Sequence, residues 1–168
     1  MSSGFHPDEL LKSLSRYPVV KYETAGHAFN GNQYTTASGE LRDHALQTLK
    51  DVRGGNSAGS AGEHSNIAFA HREAAKAIEA GMKGAKIPLS KWGAARKAID
   101  AHNAASDAHI KASSASAKVA TQSIKPATGS TVSRNKMNAL VASAKDASEN
   151  ASYASANADE MTKGMGNL

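Results

Sequence analysis

Cysteine is absent from the 168 residues, which excludes disulfides, thiolate metal ligands and a cysteine nucleophile. Large apolar side chains are scarce. Leu, Ile, Val and Phe together number 24 of 168, below the roughly 20% at which a conventional core becomes doubtful. Aromatic residues make up 5% of the chain and tryptophan occurs once. A thick sandwich or a doubly wound sheet is excluded on that ground, because both need large side chains between their layers. No apolar run approaches the ~18–20 residues of a membrane helix, so no membrane span is expected. Residues 1–16 (MSSGFHPDELLKSLSR) lack the charged start and apolar stretch of a signal peptide.

Catalytic signatures are missing too. The sequence contains no GxSxG, no Walker loop, no HExxH and no paired carboxylates beside an apolar pocket. His27 with Glu23, Asn32 and Tyr34 offers acid–base groups, but in a turn-rich segment with no walls to position them. The expectation is a protein that is not an enzyme and takes no cofactor.

What is present is alanine, 33 residues of it, with 20 serines and 14 glycines. Any fold must therefore bring its elements close together on small side chains. The net charge is +5, and the excess lies in residues 60–132, which carry ten basic and five acidic groups. A basic middle favours phosphate or an acidic protein surface.

Pro7–Arg16 reads as a short helix with Leu10, Leu11 and Leu14 on one face, followed by extended chain at residues 17–22. Asn30-Gly31 is a tight-turn dipeptide between Phe29 and Tyr34, a candidate hairpin. A second short helix is predicted over Gly39–Val52, capped by Ser38. Residues 54–62 (GGNSAGSAG) read as a flexible linker. Three long helices follow. The first opens on a capping box from Ser60 to Glu63 and ends near Gly84. The second runs from a Ser90 cap to about Ser123, stopped by Lys125-Pro126 and Gly129, and the third from about Ser133 to Lys163.

Small residues recur in these stretches at alternating spacings of three and four. One seam is Ile67, Ala70, Ala74, Ala77, Gly81, Gly84. A second is Ala94, Ala98, Ala101, Ala105, Ala108, Ala112, Ala115, Val119. The third is Met137, Leu140, Ala144, Ala147, Ala151, Ala154, Ala158, Met161. A sustained 3.5-residue period implies left-handed supercoiling, and alanine lets the backbones approach closely. The fold predicted is all-α: an antiparallel three-helix bundle with Ala-rich heptad seams over residues 63–163. Ahead of it stands an N-terminal docking region over 1–53 with short helices and the candidate hairpin; residues 164–168 form a tail.

Four histidines repeat a pattern: His64 and His71 are seven apart, and so are His102 and His109. Against the alanine seams they fall on a helix flank. A turn centred near residues 86–87 sets His71 beside His102 and His64 beside His109. Imidazoles seven apart are about 10.5 Å apart along a helix and cannot share one zinc. The cross-helix pairs remain as candidate metal pairs, with Glu73 or Asp107 as further ligands. They are also candidate pH-sensitive pairs, because adjacent charged imidazoles repel; the plainest reading is a half-exposed flank. Trp92 reads as a plug closing one end of the bundle. Lys97, Lys111 and Lys118 share a flank of their helix, either as a solvated face or as weak phosphate contacts.

The segment Gly26-His27-Ala28-Phe29-Asn30-Gly31-Asn32-Gln33-Tyr34-Thr35 resembles the GHxFxGNQ(Y/W)T element that recurs in tailed-bacteriophage proteins. Those proteins often continue into Ala- and His-rich helices with AHxxA-type units, similar to HSNIAFAHREAAKA here. The resemblance implies a phage context and a virion role, and it supplies no catalytic residues. Read physically, His27, Phe29, Asn30, Gly31, Asn32, Gln33 and Tyr34 form a docking element, with two aromatic groups for bulk and three polar side chains for directional hydrogen bonds. The expected function is that of a virion structural protein, associated with a capsid, portal or tail, that assembles with other virion proteins and with its own copies through the alanine seams. The alternatives are an internal or ejected protein touching packaged DNA, and a metal-binding or pH-responsive histidine protein.

Overall fold

The computed structural model describes residues 31–124 and 131–166. Four long helices dominate: α1, Gly31–Arg53; α2, Ser57–Lys83; α3, Trp92–Ile124; and α4, Thr131–Lys163, with a 3-10 turn at Leu89–Lys91 before α3. The expected helix at 7–16, the extended chain at 17–22 and the Pro126 stop lie outside the described residues. Among the described residues no helix is long and apolar enough to cross a membrane.

The helices form a closed ring in which α1 and α3 each pack on α2 and α4. Neighbours run antiparallel. Tyr34 near the start of α1 reaches Ala77 near the end of α2, His64 of α2 meets His109 of α3, and Arg42 and Arg53 of α1 meet Asp159 and Glu149 of α4 in descending order. The body is thus a four-helix bundle, and the expectation of three helices beside a separate N-terminal region is corrected. The reason lies in the apolar stripe of α1. Leu41 and Ala45 are fully buried, with Tyr34, Leu49 and Val52 nearly so, which makes α1 the fourth wall.

The linker expected at 54–62 shrinks to a turn. Gly54 donates to the Lys50 carbonyl and Gly55 to that of Val52; Gly55, at φ 92°, takes a conformation that side chains resist. Asn56 then caps α2, its side chain accepting from the Gly59 amide at 3.2 Å. The capping box at Ser60 does not form, because Ser60 lies inside the helix and its hydroxyl donates back to the Asn56 carbonyl. The candidate hairpin is corrected as well: from Gly31 onward the chain is helical.

The seams differ from expectation by one position in every second place. On α2 the buried line is Ser60, His64, Ile67, His71, Ala74, Ile78, Gly81. On α3 it is Ala95, Ala98, His102, Ala105, His109, Ala112, Ser116, Val119, and on α4 Ala144, Ser148, Ala151, Ser155, Ala158, Thr162, Met165. Ala77, Ala94, Ala108, Ala115, Ala147 and Ala154, assigned to the seams by the alanine pattern, are only half-buried. The three-and-four alternation survives, but histidine, serine and threonine hold places that alanine was expected to hold.

Large apolar groups collect toward the two ends. One end gathers Tyr34, Ile78, Met82, Ile87 and Met165, with Trp92 against them and donating its indole N–H to the Ile87 carbonyl at 3.1 Å. Met165, expected in a tail, is thereby part of the core. The other end gathers Val52, Val119 and Ala144, with Met137, Leu140 and Val141. Between them lies a waist of mostly small and polar side chains, in which Leu41 and Ile67 pack with Ala37, Ala70 and Ala74.

Candidate functional site

The waist holds all four repeated histidines. They are at most 1% exposed, so the reading of a half-exposed flank is overturned. Heptad spacing on α2 and α3 points one imidazole per repeat inward, and the short connection between those helices sets the pairs. His64 Nδ1 lies 2.8 Å from His109 Nδ1, and His71 Nδ1 lies 2.8 Å from His102 Nδ1. His71 also stacks on His109 with ring centroids 5.7 Å apart, so the two pairs touch.

The outer nitrogens turn to α4. His64 Nε2 is 2.9 Å from Ser148 Oγ, His71 Nε2 is 2.7 Å from Ser155 Oγ, and His109 Nε2 is 2.9 Å from that same Oγ. His102 Nε2 is 3.1 Å from Thr162 Oγ1, whose hydroxyl donates to the Ala158 carbonyl at 2.7 Å. Each ring nitrogen therefore has one partner. Ser148, Ser155 and Thr162 were not singled out from the sequence. Their signal is there all the same, since they repeat every seven residues, as the histidines do on α2 and α3.

Burial without a counter-ion disfavours the charged imidazole. It pushes His64 down to about 4. His109 falls to about 3, through burial first and the neighbouring His64 second. His71 is lowered well below its ordinary value by burial and then by His102 and His109. His102 falls to about 4 by burial, opposed by the negative charge of Asp159. At neutral pH the cluster is uncharged. Around it, Asp159 of α4 is held by Arg42 of α1 at 2.8 Å and by Lys163 at 2.7 Å, and its buried Oδ1 has no hydrogen-bond partner among the described residues. Glu73 of α2 is tied to Lys76 at 2.7 Å, and the exposed Asp107 of α3 lies 3.9 Å from Arg72.

These partners bear on the metal reading. Two nitrogens on one tetrahedral zinc stand about 3.3–3.4 Å apart, given Zn–N bonds of ~2.0–2.1 Å. The 2.8 Å separation within each pair fits a shared proton instead. Glu73 and Asp107, the candidate additional ligands, face lysine and arginine. Among the described residues no three His, Cys, Asp or Glu side chains are grouped to hold a metal ion.

The other candidates lie elsewhere. Lys97, Lys111 and Lys118 are exposed on α3. Lys111 and Lys118 flank an open groove of about 510 Å³ between α3 and α4, floored in part by Ala115, Leu140 and Ala147. A second groove, of about 250 Å³, lies by Val52, Val119 and Met137. No histidine lines either groove. Of the docking element, Tyr34 is 6% exposed, hydrogen-bonded to the Ala77 carbonyl at 3.4 Å and set against Gly81. It anchors α1 inside the bundle and offers no bulk to a partner. Gly31, Asn32 and Gln33 form the first turn of α1; His27, Phe29 and Asn30 lie outside the described residues.

Comparison with protein-family models, with curated proteins and with solved structures finds no match for this chain.

Proposed function

We propose that this chain is a non-catalytic structural part of a tailed-bacteriophage particle, working through protein–protein contacts, whose helical body is firm at neutral pH and comes apart in acid. One observation carries the acid response: four neutral imidazoles are sealed in the waist and satisfied by one another and by α4 hydroxyls. Protonating any of them puts a charge where water cannot reach, and turns an acceptor nitrogen toward another donor. The same sealing speaks against acid–base catalysis, because the rings are at most 1% exposed and neither of the two grooves reaches them. The particle context rests on the GHAFNGNQYT segment, whose second half opens α1. Assembly among copies does not run through the alanine seams, which are occupied inside one chain. It would use the outer faces or the residues ahead of α1.

The acid response is tested with a variant in which one histidine pair and the hydroxyl partner of its first member become apolar together: His64→Leu, His109→Leu and Ser148→Ala. The unsubstituted protein loses its helical circular dichroism between pH 6 and pH 4 and regains it on neutralisation, and the variant holds its helix to lower pH. Unchanged helix in the unsubstituted protein down to pH 4 would refute the reading. The particle context is tested by mass spectrometry of purified virions of a phage that encodes the chain. Its peptides appear in fixed proportion to the shell protein; their absence from washed particles ends that half of the proposal.

A further inference from the structure

The hydrogen bonds of the waist join end to end. Starting at the carbonyl of Ala158, the path runs through Thr162, His102, His71, Ser155, His109 and His64 to Ser148, with every link between 2.7 and 3.1 Å. Each neutral imidazole has one N–H and one bare nitrogen, and each hydroxyl has one hydrogen to give and two lone pairs to accept with. With Ser155 giving its hydrogen to one of its two rings, fixing the donor at the Thr162 link fixes it at all the others.

The first link is fixed. The Ala158 carbonyl has no proton, so the Thr162 hydroxyl donates to it. Thr162 Oγ1 is then the acceptor for His102, which must carry its proton on Nε2. His102 Nδ1 is left bare, so His71 donates from Nδ1. His71 Nε2 in turn accepts from Ser155, and Ser155 accepts from His109 Nε2–H. His109 Nδ1 accepts from His64 Nδ1–H, and His64 Nε2 accepts from Ser148.

We propose that the four histidines and three hydroxyls form one directional hydrogen-bonded wire with two stable polarities, so that the state of the Thr162 end dictates which nitrogen is protonated at the Ser148 end. The reverse polarity gives up the Thr162–Ala158 bond but keeps every ring nitrogen bonded if Thr162 turns to His102 and Ser148 turns back to the carbonyl four residues earlier, as serine and threonine commonly do in helices. The two ends are fourteen residues apart on α4, about 21 Å at 1.5 Å per residue. A two-arrangement element of that length is the physical requirement for coupling distant sites. The Thr162 end lies one turn from Asp159, whose negative charge acts on His102 and whose partners Arg42 and Lys163 reach the surface. The inference uses the histidine cluster but not its acid response, and it is read at neutral pH.

Ring-nitrogen ¹⁵N shifts at pH 7.5 report which nitrogen of each histidine bears the proton. The unsubstituted protein shows an alternating pattern, with His64 and His71 protonated on Nδ1 and His102 and His109 on Nε2. Thr162→Val removes the hydroxyl that accepts from His102 Nε2–H, and all four histidines invert. Ser148→Ala leaves the pattern as it was, because it bares a lone pair and strands no donor. The same tautomer at all four rings, or inversion confined to His102 in Thr162→Val, would overturn the proposal. Should circular dichroism show Thr162→Val unfolded, the unsubstituted pattern and its persistence in Ser148→Ala decide the matter.

Discussion

Lowering the pH from 7.5 to 5 is expected to remove a large part of the stability of this fold, and the magnitude follows from the buried rings. In the unfolded chain each histidine titrates near 6.5, whereas in the bundle His64 and His102 titrate at about 4 and His109 at about 3. Folded values below unfolded values mean that the unfolded chain binds more protons throughout that window. Stability is therefore complete above pH 6.5 and is lost as the pH falls toward the folded values. At 1.36 kcal/mol per unit, each of the three gives up about 2 kcal/mol by pH 5 and a little under 1 kcal/mol by pH 6. Together they lose about 6 kcal/mol at pH 5, against a total of roughly 5–15 kcal/mol for an ordinary domain. His71 acts in the same direction. Urea unfolding followed by Trp92 fluorescence and helix signal measures the loss. With a slope of about 2 kcal/mol/M the midpoint falls by about 3 M between pH 7.5 and pH 5. A midpoint that moves by less than about 0.5 M would mean that these imidazoles are hydrated in solution, and the account of a dry neutral waist would be wrong.

Three further outcomes are expected. Gly81→Ala places a methyl 2.5 Å from the Tyr34 hydroxyl and 3.2 Å from Ile87; it should cost about 1–3 kcal/mol in a thermal melt despite alanine's better helix propensity, and adding Tyr34→Phe should recover part of the loss. Asn56→Ala removes the side-chain cap of α2 and should cost about 1 kcal/mol equally at pH 7.5 and pH 6, as read by urea midpoints. The DNA-contact reading of Lys97, Lys111 and Lys118 requires duplex binding at low salt, with a log K against log salt slope that shrinks by about 2.7 when all three become alanine. No retardation of duplex DNA at about 20 mM salt would remove that reading.

Much of the architecture stands in the sequence, and the gaps have physical causes. Helix positions follow from the three-and-four alternation and from the glycine stops at Gly84 and Gly164, and the short α2–α3 connection fixes which histidines face each other. Burial of those histidines was not readable, because alanine fills so many positions that two overlapping stripes fit the same period. Taking the all-alanine stripe pushed His64, His71, His102 and His109 to the flank. Their partners on α4 carry the deciding signal, since Ser148, Ser155 and Thr162 repeat in step with the rings and give each inward nitrogen something to bond. The fourth helix was obscured for a different reason. Gly and Ser in residues 54–62 read as flexible chain, yet Ser57 onward is helical, because Asn56 supplies a cap and Ser60 returns its hydroxyl to the backbone. Tyr34 looked like a docking group because an aromatic beside Asn-Gly suggests an exposed turn; the cradle at Gly81 that receives it becomes visible only in three dimensions.

The shared seven-residue repeat also carries a hazard. If α4 slid by one repeat, about 10.5 Å, Ser155 would stand where Ser148 now stands and Thr162 where Ser155 does, and most rings would find a hydroxyl again. By itself, the middle of this bundle cannot tell one thread of the screw from the next. What sets the phase are features that do not repeat: Met165 seated among Tyr34, Ile78 and Ile87, and the Arg42–Asp159 ion pair joining the first helix to the last. A buried charge of that kind adds little to stability, but it lets the chain count its turns.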